Sequence, residues 1–203
     1  MYNPKRVKKN KEQQKGGNTL LLYIHDLTYL ITVMMILFLL VFRVVVVSGS
    51  SMNDTLTDGD YLLLLSNVFY KDPQVGDIVV ASKDSFENGV PIVKRVIATE
   101  GQMVDIDFNT NTVYVDGVAL DEPYIKDDIS YIYSSDRLSF PLVVDEGCVF
   151  VLGDNRPVSW DSRSPQVGLI DRREILGKAI FLFFPGADQV TKNRDFTKIG
   201  ALP

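Results

Sequence analysis

Hydrophobic positions in this chain follow two regimes. From Leu27 to Val47 (LTYLITVMMILFLLVFRVVVV) they are almost continuous, with Arg43 as the only charge. From Asp60 onward they come in short β-branched runs separated by turn residues. The first regime is apolar on every side, which predicts a helix surrounded by lipid rather than one packed on a core. At ~1.5 Å per residue it reaches roughly 32 Å, close to the ~30 Å hydrocarbon layer of a bilayer. Arg43 sits near the far end, where its guanidinium can extend to the headgroups. A cleaved signal peptide is the rival reading, because Ser48-Gly49-Ser50 follows. Such apolar cores usually run only ~7–15 residues, and this one is longer. The pattern therefore predicts one uncleaved anchor within residues 19–47.

The second regime predicts strands at Asp60–Ser66, Asp77–Ser82, Pro91–Thr99, Met103–Asp107, Thr112–Asp116, Leu142–Val144, Cys148–Leu152 and Ile175–Phe184. Asp58-Gly59, Gly76-Asp77, Asn88-Gly89, Asp116-Gly117 and Glu146-Gly147 separate them. No helical periodicity of useful length follows the anchor. The expected body is mainly β, antiparallel and barrel-like, built from residues 48–107 and 147–190. Residues 108–146 are more polar and contain the cluster YIKDDISYIYSSDRLS, which suggests a small inserted cap subdomain. Residues 191–203 read as a polar C-terminal tail, with no second membrane span.

Charge adds an orientation. Residues 1–15 carry Lys5, Arg6, Lys8, Lys9, Lys11 and Lys15 against Glu12 alone, while the whole chain has a net charge of −5. Residues 1–18 are expected to be a disordered tail that stays cytoplasmic, as positive flanks do. The remaining body is acidic, which argues against nucleic acid as a partner. Cys148 is the single cysteine and His25 the single histidine. No intrachain disulfide and no Cys-rich zinc site can form, and Cys148 reads as a buried strand residue. His25 falls on the tail side of the span, which removes Ser-His-Asp and Cys-His hydrolysis.

The remaining nucleophile candidates lie where the anchor ends, in Ser48-Gly49-Ser50-Ser51-Met52. Ser51 alone is a weak signal, since most such serines are turn or cap residues. Lys94 strengthens it. Strand alternation puts Lys94 on one face with Ile92, Val96 and Ala98, an unusual setting for an ammonium group. Desolvation there would lower its pKa from ~10.4 toward the range of a neutral base; a snorkelling or salt-bridged lysine is the alternative. A third cluster, Leu152-Gly-Asp-Asn-Arg-Pro-Val-Ser-Trp-Asp-Ser-Arg163, is dense enough in polar groups to support a site.

Together these segments resemble the type I signal peptidases, the Ser-Lys family that removes signal peptides from exported preproteins. Ser51-Met52-Asn-Asp-Thr-Leu56 resembles the nucleophile box, Gly59-Asp60 the next, Val93-Lys-Arg-Val-Ile97 the lysine box, and Gly153-Asp-Asn-Arg156 with Ser159 and Asp161-Ser-Arg163 the last. The order is kept from the anchor to about Pro185. The resemblance implies Ser51 as nucleophile, Lys94 as general base and Ser159 as the group that orients the Lys94 amine. It implies that Asp161 and Arg163, with Arg95, form structural ion pairs, and that Met52 shapes the substrate site. The oxyanion would be held by the Ser51 N–H with help from Gly49. The implied partners are preprotein signal peptides and the lipid bilayer, with no cofactor, metal or nucleic acid. The single anchor and short insertion look like the Gram-positive style of the family.

The departures from the family pattern are Gly49, where many relatives have a serine, Asp54 in place of proline, Thr99-Glu-Gly-Gln102 in place of Leu-Pro-Gly-Asp, and Arg156-Pro157. Asp54 is expected to lie near the nucleophile, hold Lys94 protonated and raise the pH optimum. Two other functions compete. An assembly factor for surface structures on the same fold would not need Ser51 and Lys94. A self-cleaving Ser-Lys repressor would need a DNA-binding module, and none is visible.

Overall fold

The computed structural model describes residues 4–125, 138–188 and 191–203. The chain forms two units, Met1–Val41 and Phe42–Pro203. The first is a helix, α1 (Pro4–Val41). Its segment Thr19–Val41 is long and apolar enough to cross a membrane.

Both ends of this helix differ from expectation. It continues back to Pro4, so residues expected to be disordered are helical; Lys, Glu and Gln in that stretch are good helix formers. It stops at Val41 rather than Val47, and Phe42–Val46 is a strand. Val44, Val45 and Val46 are β-branched, and their backbone finds a partner in Tyr61–Leu63. Apolarity predicted burial in lipid, but strand pairing decides these residues.

The second unit contains β1 (Phe42–Val46), β2 (Tyr61–Ser66), β3 (Ile78–Ala81), β4 (Ile92–Thr99), β5 (Met103–Asp107) and β6 (Thr112–Val115). They are followed by β7 (Val118–Ala119), β8 (Leu142–Val143), β9 (Cys148–Leu152), β10 (Ile170–Asp171), β11 (Ile175–Phe184) and β12 (Gly200–Ala201). The main sheet runs β1-β2-β11-β3-β4-β9-β10, with β12 also on β11, and all its pairings are antiparallel. The fold is thus mainly β, antiparallel and barrel-like. A second sheet, β7-β6-β5-β8, forms the insertion. The insertion therefore begins with β5 at Met103 and not at Phe108. Most of the Tyr/Asp/Ser cluster falls in 126–137, outside the described residues.

The core follows the alternation. In β2 the buried positions are Leu62, Leu64 and Ser66. Leu62 and Leu64 join Val47, Met52, Leu56 and Ile78 in one cluster, so the residues flanking Ser51 are held by the hydrophobic interior. β4 is buried from Lys94 to Ala98. A register shift against β9 between Val96 and Ala98 breaks its alternation. Ala98 consequently packs with Ile97, Val104 and Phe150, and not with Val96 as simple alternation predicts. The C-terminal residues also contribute, for β12 pairs with β11 and Leu202 packs on the cluster around Met52. They are not merely a polar tail.

Candidate active site

The chain leaves β1 through Val47, whose N–H donates to the Asp60 carbonyl at 2.8 Å while its own carbonyl accepts from Gly59 at 2.9 Å. The turn that follows starts at Gly49, which takes a φ of +92°, a conformation that glycine adopts without steric cost. It closes through Asn53 N–H to Ser50 O (3.1 Å) and Leu56 N–H to Met52 O (2.9 Å). Val47 before the turn and Met52 within it are buried. Ser51 is carried between these fixed points.

Lys94 reaches the same place from β4. Its side chain is buried, with 3% relative exposure. Nζ lies 2.8 Å from Ser51 Oγ and 2.9 Å from the Val93 carbonyl. Burial, which penalises the ammonium form, lowers its pKa to about 8 against the opposing pull of the Asp161 carboxylate. Arg163 adds to the lowering, while Asp154 and Glu87 oppose it. Asp54 is not among these leading charges. The Asp54 carbonyl instead accepts a hydrogen bond from Lys198.

The loop after β9 braces both groups. Asp154 receives Arg95 through two bonds, Nε at 2.9 Å and Nη2 at 2.7 Å, and accepts from Thr55 Oγ1 at 2.5 Å. One carboxylate thereby ties the lysine strand to the serine turn. Asn155 grips the turn directly. Its N–H donates to Ser51 O and its Nδ2 to Ser50 O, both at 3.0 Å. Gly153 has no side chain for a spatial reason: a Cβ there would overlap the Ser159 side chain and the Ser51 carbonyl.

Asp161 is buried and paired with Arg163, whose Nε and Nη2 donate to it at 2.8 and 2.9 Å. Burial alone would raise the Asp161 carboxyl, but the Arg163 charge and hydrogen bonds leave it below the usual carboxylate range. Arg95 is not part of that pair, since its partner is Asp154. It is also covered by the Tyr124 ring, 4.0 Å from the guanidinium carbon. Tyr124 donates to Glu122, which pairs with the buried Arg156.

Two expected roles change. Ser159 does not bond Lys94, whose amine is engaged by Ser51 and Val93; its buried hydroxyl lies instead beside Asp161 and helps to lower that carboxyl. Gly49 does not offer its N–H to an oxyanion, because that N–H donates to Asp58 Oδ1 at 2.8 Å. The Ser51 N–H, by contrast, makes no hydrogen bond among the described residues. Sequence reasoning assigned no separate roles to Asp154, Asn155, Thr55, Glu122 and Tyr124. The first two are signalled by the polar density of the 152–163 loop and by its resemblance to the last family box, and Thr55 by the nucleophile box.

Ser51, Lys94 and Met52 share a cleft of about 480 Å³ between β1 and the start of β4, with Val45, Val90 and Ile92 among its walls. The cleft is mostly apolar, open to solvent, and has a hydroxyl and a dehydrated amine in contact within it. Such an arrangement suits nucleophilic chemistry.

Residues 20–184 match the family described as signal peptidase, peptidase S26. A signal peptidase I of Bacillus licheniformis is 36% identical over 151 residues, covering 71% of this chain and 77% of the relative. Signal peptidase I T of Bacillus subtilis strain 168 is 32% identical over 190 residues, covering 91% and 96%. A crystal structure of a signal peptidase I from Enterococcus faecalis V583 is 34% identical, with a TM-score of 0.43, over 53% of this chain and 97% of that one. The chain belongs to the signal peptidase family, peptidase S26.

Proposed function

We propose that this protein is a membrane-bound serine endopeptidase that removes N-terminal signal peptides from exported preproteins, with Ser51 as nucleophile and Lys94 as general base. The observation that carries the reading is the 2.8 Å contact between Ser51 Oγ and a lysine amine whose pKa burial has brought to about 8. A fraction of that amine is neutral at physiological pH, which an exposed lysine would not be.

The Val93 carbonyl accepts one amine N–H, which turns the nitrogen lone pair of the neutral form toward the Ser51 hydroxyl. Ser51 Oγ attacks the scissile carbonyl as its proton passes to Nζ. The Ser51 N–H is the donor for the oxyanion that forms. The new ammonium is held by the negative field of Asp161 and Asp154. It then gives its proton to the departing amine, leaving an acyl-enzyme. Neutral again, Lys94 takes a proton from water as the water attacks the ester, and Ser51 is restored.

The substrate would lie extended in the cleft and pair with the free edge of β1, which ends the main sheet. Specificity would favour small residues one and three positions before the cut. The Thr19–Val41 segment would cross the membrane once with the basic N-terminus cytoplasmic. That arrangement confines enzyme and preprotein to one surface and raises their effective concentration.

The test is cleavage of a preprotein by detergent-solubilised wild type, Ser51→Ala and Lys94→Ala. Only the wild type should release mature protein. Equal processing by all three rejects the reading.

A further inference from the structure

We infer that Glu87 is a specificity-determining residue whose carboxylate receives a basic side chain, Lys or Arg, of the peptide bound in the cleft. The inference rests on the peptidase reading above and adds a charge preference to it.

Glu87 lines the same cleft as Ser51 and Lys94, and Glu87 and Lys94 are the only charged residues in its wall among the described residues. Lys94 is buried and engaged by Ser51 and Val93. Glu87 is exposed, and its carboxylate makes no hydrogen bond or ion pair among the described residues. The cleft therefore offers one exposed carboxylate without a hydrogen bond or ion pair among the described residues, beside the apolar side chains Val45, Val90, Pro91 and Ile92.

The backbone holds this charge in a defined place. Glu87, Asn88 and Gly89 have φ values of 46°, 55° and 81°, three successive residues in the left-handed region. Side-chain-bearing residues enter that region only at a steric cost, so the loop must be held from outside. Phe86 is buried and anchors its start. The Gly89 N–H donates to Phe86 O at 3.0 Å, and Ser82 Oγ donates to Gly89 O at 2.7 Å. Glu87 is thus fixed at the rim of the cleft.

A bound peptide displaces water from that rim. A Lys or Arg side chain that reaches Glu87 then replaces lost hydration, whereas an acidic one faces a like charge in a partly dehydrated cleft. Glu87 also acts on Lys94, raising its pKa. The selection must therefore be read as a ratio between substrates at one pH, which cancels any change in the base.

The experiment uses the full chain in uncharged detergent, as wild type, Glu87→Gln and Glu87→Lys. The substrates are one preprotein-derived peptide series differing only by a single Lys or Glu, moved through each position flanking the cut. At one position the wild type should favour Lys over Glu in kcat/KM by about threefold to fivefold, the range of partly exposed ion pairs. The ratio should fall to about one in Glu87→Gln and invert in Glu87→Lys. Ratios that are the same in all three proteins at every position overturn the inference. Binding of the same fluorescently labelled peptides to Ser51→Ala, with and without Glu87→Gln, separates the two readings. A Glu87-dependent charge preference in binding, with no cleavage by wild type, sinks the peptidase reading alone. Cleavage without any Glu87-dependent preference sinks the inference alone.

Discussion

Arg95 and Asp154 form a two-bond ion pair whose side chains are 4% and 1% exposed. Arg95 follows Lys94 on β4, while Asp154 belongs to the loop that grips Ser50 and Ser51 through Asn155. The pair sets the separation of base and nucleophile without touching either. Replacing Asp154 with Asn leaves the Arg95 guanidinium buried without a counter-charge, which typically costs ~3–5 kcal/mol. Denaturant unfolding should show that loss, and activity should fall as well. Asp154→Asn with full stability would mean that solvent reaches Arg95.

Gly153→Ala tests the close contact of three segments. Its methyl group would overlap the Ser159 side chain and the Ser51 carbonyl, both of which must then move. A displacement near 1 Å at a reacting group is worth about a hundredfold in rate. The expected result is a fall of that order in kcat, with KM changed much less because the apolar cleft walls remain. An unchanged kcat would show that the turn around Ser51 tolerates displacement.

Lys94→Met separates catalysis from stability. In the folded protein the lysine pKa is lowered to about 8 from 10.5. Below pH 8 the full penalty of burying the charge is therefore present, on the order of 3 kcal/mol. As pH rises from 8 to 10.5 the unfolded chain binds more protons than the folded one, so wild-type stability increases. Above 10.5 the penalty is gone. Lys94→Met should be inactive yet more stable than wild type at pH 7, with the advantage shrinking through that window. Unfolding followed by fluorescence of Trp160, the only tryptophan, measures it. A pH-independent difference would contradict the lowered pKa.

Much of this architecture is legible in the sequence because the body obeys strand alternation. Leu62, Leu64 and Ser66 are buried as a period of two requires, and eight strands fall where β-branched runs and turn residues place them. Legibility fails where a nonlocal partner overrides local pattern. Phe42–Val46 is as apolar as the helix before it, and only its pairing with β2 makes it a strand. The shift at Ile97 depends on β9, some fifty residues later, so alternation misassigned Ala98.

The site divides in the same way. Ser51 and Lys94 could be named from their local settings and their family resemblance, and the structure brings them into contact. The roles expected of Ser159 and Gly49 are not seen in the structure, because each depends on a single hydrogen bond that goes elsewhere. The Gly49 N–H goes to Asp58, nine residues along the chain, and no sequence pattern announces that choice. The Glu122–Arg156 pair and the Tyr124 cover on Arg95 were equally hidden, since they join the insertion to a loop 34 residues on and to the distant strand β4.

The pH dependence of kcat/KM on an uncharged peptide substrate tests the central claim most directly. If Lys94 is the base, the rate must rise with pH as the amine loses its proton, with an apparent pKa of about 8. A profile flat from pH 6 to 10, or one rising only near the 10.5 of an ordinary lysine, would contradict the account.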